Sequence, residues 1–207
     1  MAVRLDKIYT KSGDDGKTNI LSDRIDKGDI VIECFSAADE LNSSLGVIRS
    51  FARQFYEDKC EIIVKETEST LTKIQNEMFE IGKILVYHHL NLNGKNTIKE
   101  HENPVLPKFG HRNILFLEER IDNYLAVVTP LNSFILPGGN LLVAYTHHSR
   151  SICRRFECVL NRWDVERQLE SNIKAFVNRL SDYLFVYSRW VTHQLGEKEE
   201  CWIPASN

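Results

Sequence analysis

Apolar residues recur in alternating steps of three and four along most of this chain, and that spacing predicts helices before any residue preference is consulted. From Val64, the positions Thr67, Leu71, Ile74, Met78, Ile81 and Leu85 trace a seam of the kind that packs helices side by side, predicting one long helix over about 58–88. The same stepping joins Leu41, Leu45, Ile48, Ala52 and Phe55, then Ile114, Leu117, Ile121, Leu125 and Val128, and again Ile173, Phe176, Leu180, Leu184, Tyr187 and Val191. A helix from about 141 to 165 carries Tyr145, His148, Ile152, Phe156, Val159 and Trp163 on one side. Five helices are expected. A polar stretch from His88 to Arg112, rich in Asn, Lys and Pro, reads as a long solvated connection, and the turn "LPGG" at 136–139 leads into the fourth helix.

Composition narrows the classes. With 207 residues, 43% of them hydrophobic, the chain can bury one sizeable core as a single domain. A net charge of −3 and the absence of a basic stripe argue against a nucleic-acid partner. The five cysteines, Cys34, Cys60, Cys153, Cys158 and Cys201, are odd in number and lack C-x-x-C spacing, so they read as reduced thiols in a cytosol-like compartment. No run of about 18 apolar residues occurs, so no membrane span is expected. The expected place is the cytoplasm, or the mitochondrial matrix if a transit peptide has been removed.

Two regions carry candidate chemistry. "YTKSGDDGKTNI" at 9–20 contains a Gly-Lys-Thr like the end of a phosphate-binding P-loop, but Lys11 stands where that motif needs its first glycine and no buried strand precedes it. On residues alone it is either a plain Asx-type turn or an unusual loop dense in lysines, hydroxyls and carboxylates, Asp14 and Asp15 among them. Further on, Arg150, Arg154 and Glu157 fall within roughly 60° of one another around their helix, and Asn178, Asp182 and Arg189 are expected to share a face of the last helix. These rows read either as solvated faces with ion pairs or as a polyanion site, since guanidinium forks match phosphate oxygens. A di-iron carboxylate bundle would need Glu-x-x-His pairs, and no histidine here has a glutamate three residues before it. A non-catalytic interaction or scaffolding protein would leave the loop and the arginines without a task, whereas a non-catalytic nucleotide-binding helical bundle remains an open alternative on the residues alone.

Five segments in order resemble the PduO-type ATP:corrinoid adenosyltransferases: "IYTKSGDDGKT", "ADELNSSLG", "FILPGG", "RSICRRFE" and "NRLSDYLFV". Ser36, "LSDR" and Cys158 depart from the usual pattern. The resemblance implies an all-α, five-helix bundle of up-down antiparallel helices assembling as a homotrimer. It implies a single domain over 1–207, with an ATP loop at about 8–30 and a bundle at about 31–196. Matched residue by residue, it assigns ATP binding to Thr10, Lys11, Ser12, Gly13, Thr18, Asn19, Lys27, Arg154, Arg155, Phe156, Glu157, Cys158 and Asn178. Asp39 and Arg150 match a pair that links neighbouring subunits, and Phe134 a wall beneath the corrin.

The reaction so implied is transfer of the 5′-deoxyadenosyl group of ATP to the cobalt of cob(I)alamin, giving adenosylcobalamin and inorganic triphosphate. Mg²⁺ would enter on the ATP phosphates, with its protein ligand unassigned. Reduced cobalt is itself a strong nucleophile, so the protein's expected tasks are alignment and stabilisation of charge on the leaving triphosphate, with Arg154 foremost and Arg150, Asp39 and Phe134 beside it. An adenosylcobalamin-dependent acceptor enzyme is a possible partner.

Overall fold

The computed structural model describes residues 9, 11–21, 23–92, 109–165 and 169–205. A two-stranded hairpin, β1 (Lys17–Ile20) and β2 (Asp23–Asp26), precedes five helices: α1 (Ile30–Tyr56), α2 (Glu61–Leu92), α3 (His111–Leu125), α4 (Leu141–Asp164) and α5 (Ser171–Gln194). The helices answer the three-and-four spacing. The hairpin does not fit an all-α expectation: β1 and β2 pair antiparallel with Thr18 opposite Ile25 and Asn19 opposite Arg24. Its two short strands turn at Leu21, whose φ of 50° lies in the left-handed region.

Local chemistry sets the helix starts. Asp29 caps α1 by accepting from the Val31 N–H at 2.9 Å, and Asn140 caps α4 by accepting from the Val143 N–H at 3.1 Å, each satisfying a donor that the first turn leaves orphaned. The second helix runs four residues beyond its expected end, to Leu92. The rest of the expected connection, 93–108, lies outside the described residues.

Helix α1 packs against α2 and α4, while α5 packs against α4 and α3 and touches α2. The shared core includes Leu41, Leu45 and Ile48 from α1, Leu71, Ile74 and Ile81 from α2, Phe156 and Trp163 from α4, and Phe176, Tyr183 and Tyr187 from α5. The apolar side of α4 is rotated from the expected one. Tyr145 and His148 are exposed, whereas Leu142, Thr146, Ser149, Cys153 and Leu160 are buried, because α4 is gripped by α1 on one side and α5 on the other. Ion pairs Glu33–Arg162 and Glu40–Arg155 show that α1 and α4 run antiparallel. No helix among the described residues is long and apolar enough to cross a membrane.

Candidate active site

The first candidate region is the loop 11–16 with the hairpin behind it. Lys27 reaches back so that its Nζ donates to the Gly13 carbonyl at 2.8 Å. A Cβ at Gly13 would lie 3.2 Å from that nitrogen and 3.3 Å from the Lys17 carbonyl oxygen, so glycine is what the close approach permits. Arg24 on β2 donates to the Ser12 carbonyl at 2.8 Å and to both Asp15 oxygens at 2.9 and 2.8 Å. That contact, with the Lys17 N–H, holds the Asp15 carboxyl below its ordinary range. Lys11 and Asp14 remain exposed, and Lys11 holds a left-handed φ of 58°. Thr18 is half-buried and Asn19 exposed on β1. Thr10 lies outside the described residues. The loop is tied to the bundle through the buried contact of His89 on α2 with Asp23 at 3.1 Å.

The second region is the outer face of α4 and α5. Arg154 is exposed and makes no ion pair among the described residues. Arg155 pairs with Glu40, a partner from α1 that no spacing within α4 reveals. Glu157 accepts from the Asn178 side chain at 3.0 Å, joining the two expected rows across the helix pair. Cys158 is exposed nearby. Phe156 is wholly buried in the core, so its ring lies beneath the row and only its backbone remains for the ATP contact expected of it. Asp182 is engaged by Arg179 at 2.8 Å.

Arg189 belongs to no exposed row. It is 5% exposed, and its guanidinium donates to Glu199 at 2.7 and 3.2 Å and to the Thr129 carbonyl at 2.5 Å. Helical angle alone misplaces it, because what buries it is chain beyond the helix. Asp39 is exposed on α1, and Arg150 lies over the Phe185 ring of α5 at 5.3 Å. The α1–α4 ion pairs set a register in which Asp39 faces the level of Phe156, six residues from Arg150 or about 9 Å along the axis. Among the described residues no ion pair joins them within one chain.

The third region is the segment before α4. Phe134 is 78% exposed, so it packs little within its own chain. Its backbone is nevertheless held. The Trp202 N–H donates to the Phe134 carbonyl at 2.7 Å, the Leu136 N–H donates to the Glu200 carbonyl at 2.7 Å, and Ser133 Oγ donates to the Trp202 carbonyl at 3.1 Å. The Trp202 ring meets Phe134 edge-on at 6.2 Å. This returning C-terminal strap was not expected from sequence. The apolar trio Cys201, Trp202 and Ile203 after the charged run 197–200 was its only signal. Behind the segment lies a cavity of about 110 Å³ lined in part by His147, Ser188, Arg189 and Glu199. Burial, and then the nearby Arg150 charge, push the His147 imidazole below its usual pKa despite Glu199.

The model of the cobalamin adenosyltransferase family matches residues 8–191. The corrinoid adenosyltransferase of Bacillus subtilis is 32% identical over 92% of this chain and 89% of its own length. That of Homo sapiens is 32% identical over 97% of this chain and 74% of its own length. Among solved structures, a variant PduO-type ATP:corrinoid adenosyltransferase from Lactobacillus reuteri complexed with cobalamin and ATP is 30% identical with a TM-score of 0.77, covering 95% of this chain and 96% of that one. Another variant of that enzyme, complexed with ATP, is 31% identical with a TM-score of 0.76, covering 95% of this chain and all of that one. A match across nearly the whole chain, in sequence and in fold, leaves one conclusion: this chain belongs to the cobalamin adenosyltransferase family.

Proposed function

We propose that the protein transfers the 5′-deoxyadenosyl group of ATP to the cobalt of cob(I)alamin. The supporting observation is that both ends of such a reaction have candidate hosts in a chain that matches, over 95% of its length, a protein complexed with cobalamin and ATP. Exposed cations at Lys11 and Arg154 suit a triphosphate, and an exposed aromatic at Phe134, fixed by its backbone, suits the flat apolar face of a corrin.

The electron pair of cob(I)alamin forms the cobalt–carbon bond at C5′, the C5′–oxygen bond breaks, and its electrons leave on the triphosphate. No proton moves, so no general base is required. Lys11 and Arg154 stabilise the charge that grows on the leaving group, while Gly13 lets the loop backbone approach the phosphates. Glu157 and Asn178, already joined, offer acceptors and a donor to the nucleoside. Phe134 bars ligands from the lower face of cobalt, which keeps the metal four-coordinate and easier to reduce.

Mg²⁺ fits as a companion of the phosphates. Asp15 is taken up by Arg24, Asp14 is exposed on the same loop, and no group of three His, Cys, Asp or Glu side chains among the described residues could hold an ion. Asp14 would face its water shell, and the ion would supply further charge neutralisation. The reading includes an up-down antiparallel bundle assembled as a homotrimer. The described hydrogen bonds of the loop close on the loop and hairpin themselves, so arginines of a neighbouring protomer complete the ATP site, with Asp39 and Arg150 pairing across the boundary. The product would pass in the cytoplasm to an adenosylcobalamin-dependent acceptor enzyme.

The test is anaerobic mixing of the protein with ATP, Mg²⁺ and chemically reduced cobalamin while the visible spectrum is followed. Adenosylcobalamin should accumulate with one triphosphate released per turnover. Absence of either product sinks the assignment.

A further inference from the structure

Phe134 has little packing of its own, so whatever fixes it acts through the backbone. The backbone is fixed by the strap, and the strap begins at a designed reversal. Helix α5 ends at Gln194, Gly196 just beyond it takes a left-handed φ of 64°, and the Glu197 N–H donates to the Thr192 carbonyl at 3.0 Å, closing the cap that sends the chain back across the loop. Two side chains then anchor the strap to the bundle. Asn140 donates to Glu197 at 2.7 Å near the reversal. Arg189 grips Glu199, next to Glu200, whose carbonyl accepts from the Leu136 N–H, and shortly before Trp202, whose N–H donates to the Phe134 carbonyl.

Arg189 differs from Asn140 in holding both partners of the clasp. One fork of its guanidinium meets the Glu199 carboxylate of the strap, and the same Nη2 donates to the Thr129 carbonyl, at the start of the loop that carries Phe134. Its planar set of donors suits a carboxylate and a carbonyl at once, which an ammonium on a lysine stem does not reproduce. Being 5% exposed and behind the loop, it does not itself meet a ligand. We infer that Arg189 is a positioning residue for the Phe134 wall: it fastens the 129–136 loop and the C-terminal strap to α5 and so sets the height of the Phe134–Trp202 pair over the corrin. The inference rests on the wall role proposed for Phe134.

The experiment compares Arg189→Met, Arg189→Lys and Glu199→Gln with Phe134→Ala in the full-length protein. Site-resolved hydrogen exchange reads the strap directly, at the Leu136 and Trp202 amides. Exchange there should quicken at least about tenfold in Arg189→Met and Glu199→Gln, with Arg189→Lys between them and the parent protein. Electron paramagnetic resonance of bound cob(II)alamin with ATP should show the four-coordinate signal falling in the same order, while the KM for ATP stays within about twofold of the parent value. Glu199→Gln removes the ion pair without altering α5, so a folding failure of Arg189→Met does not shield the inference. Unchanged exchange, or an undiminished four-coordinate signal in the Arg189 and Glu199 variants while Phe134→Ala loses it, overturns this inference alone. A signal that persists in Phe134→Ala overturns the wall reading and the purpose assigned to Arg189 with it.

Discussion

The Asn178 side chain on α5 donates to a Glu157 oxygen on α4 at 3.0 Å, so an amide and a carboxylate from two helices present one joined polar surface beside Arg154. This clip leaves the Asn178 side-chain Oδ1 and the second Glu157 carboxylate oxygen for a ligand. Replacing the amide donor with a carboxylate would set two like charges face to face. Asn178→Asp should therefore raise the KM for ATP more than Asn178→Ala does, measured at saturating cob(I)alamin. Equal effects would show that the clip is not part of the nucleotide site.

Arg154 stands exposed without an ion pair among the described residues, while Arg155 beside it is committed to Glu40. Charge-assisted contacts to a leaving group act most strongly in the transition state, so Arg154→Ala should lose on the order of 2–4 kcal/mol of transition-state stabilisation, roughly 30- to 900-fold in kcat/KM. Steady-state kinetics under anaerobic conditions measure it. Near-normal turnover would mark the row as surface decoration.

The axial offset between Asp39 and Arg150 disfavours a pair within one chain, in keeping with the pairing between chains proposed above. On that proposal, charge reversal of either residue should loosen the proposed homotrimer and raise the KM for ATP together. The double swap should recover part of both losses. Sedimentation of a fully active monomer would remove the shared site.

His147 gives stability a pH dependence with a defined sign. Its folded pKa lies below the ordinary value of about 6.5, so in that window the unfolded chain binds the proton that the folded one refuses. The contribution is present above the ordinary value and is lost as pH falls towards the folded one, by at most about 1.4 kcal/mol per pH unit. The neighbouring Arg150 charge deepens the effect and Glu199 opposes it. Urea midpoints at neutral and mildly acidic pH should draw together in His147→Asn. An unchanged gap would assign the acid sensitivity elsewhere.

The helices were legible because their buried positions repeat at a helical period, and Leu41, Ile74, Leu117 and Leu180 all fall where the period puts them. The hairpin was not, because four-residue strands such as Lys17–Ile20 mix polar and apolar residues without an alternation long enough to read. Arg189 was misread for a different reason. A helical wheel knows only its own helix, and the Glu199 that buries Arg189 comes from a strap with no periodicity at all. Similarly, the angle that grouped Arg150 with Arg154 could not show that Arg150 leans on Phe185 while Arg154 stays exposed. The resemblance alone named the loop residues as a phosphate site, which no helical period could do. Only coordinates showed Lys27 closing the loop on Gly13.

Lys11 keeps an L-side chain in a left-handed backbone, about 1–2 kcal/mol worse than glycine would find it. Mutation to glycine is thus a downhill step for the conformation and a loss for the charge. A drifting lineage could take that step without meeting any folding barrier, so stability screening would pass a variant that has lost the phosphate contact proposed for Lys11. In inheritance, the fold offers this lysine no protection. Only the demand for an ammonium facing the phosphates would keep it in place.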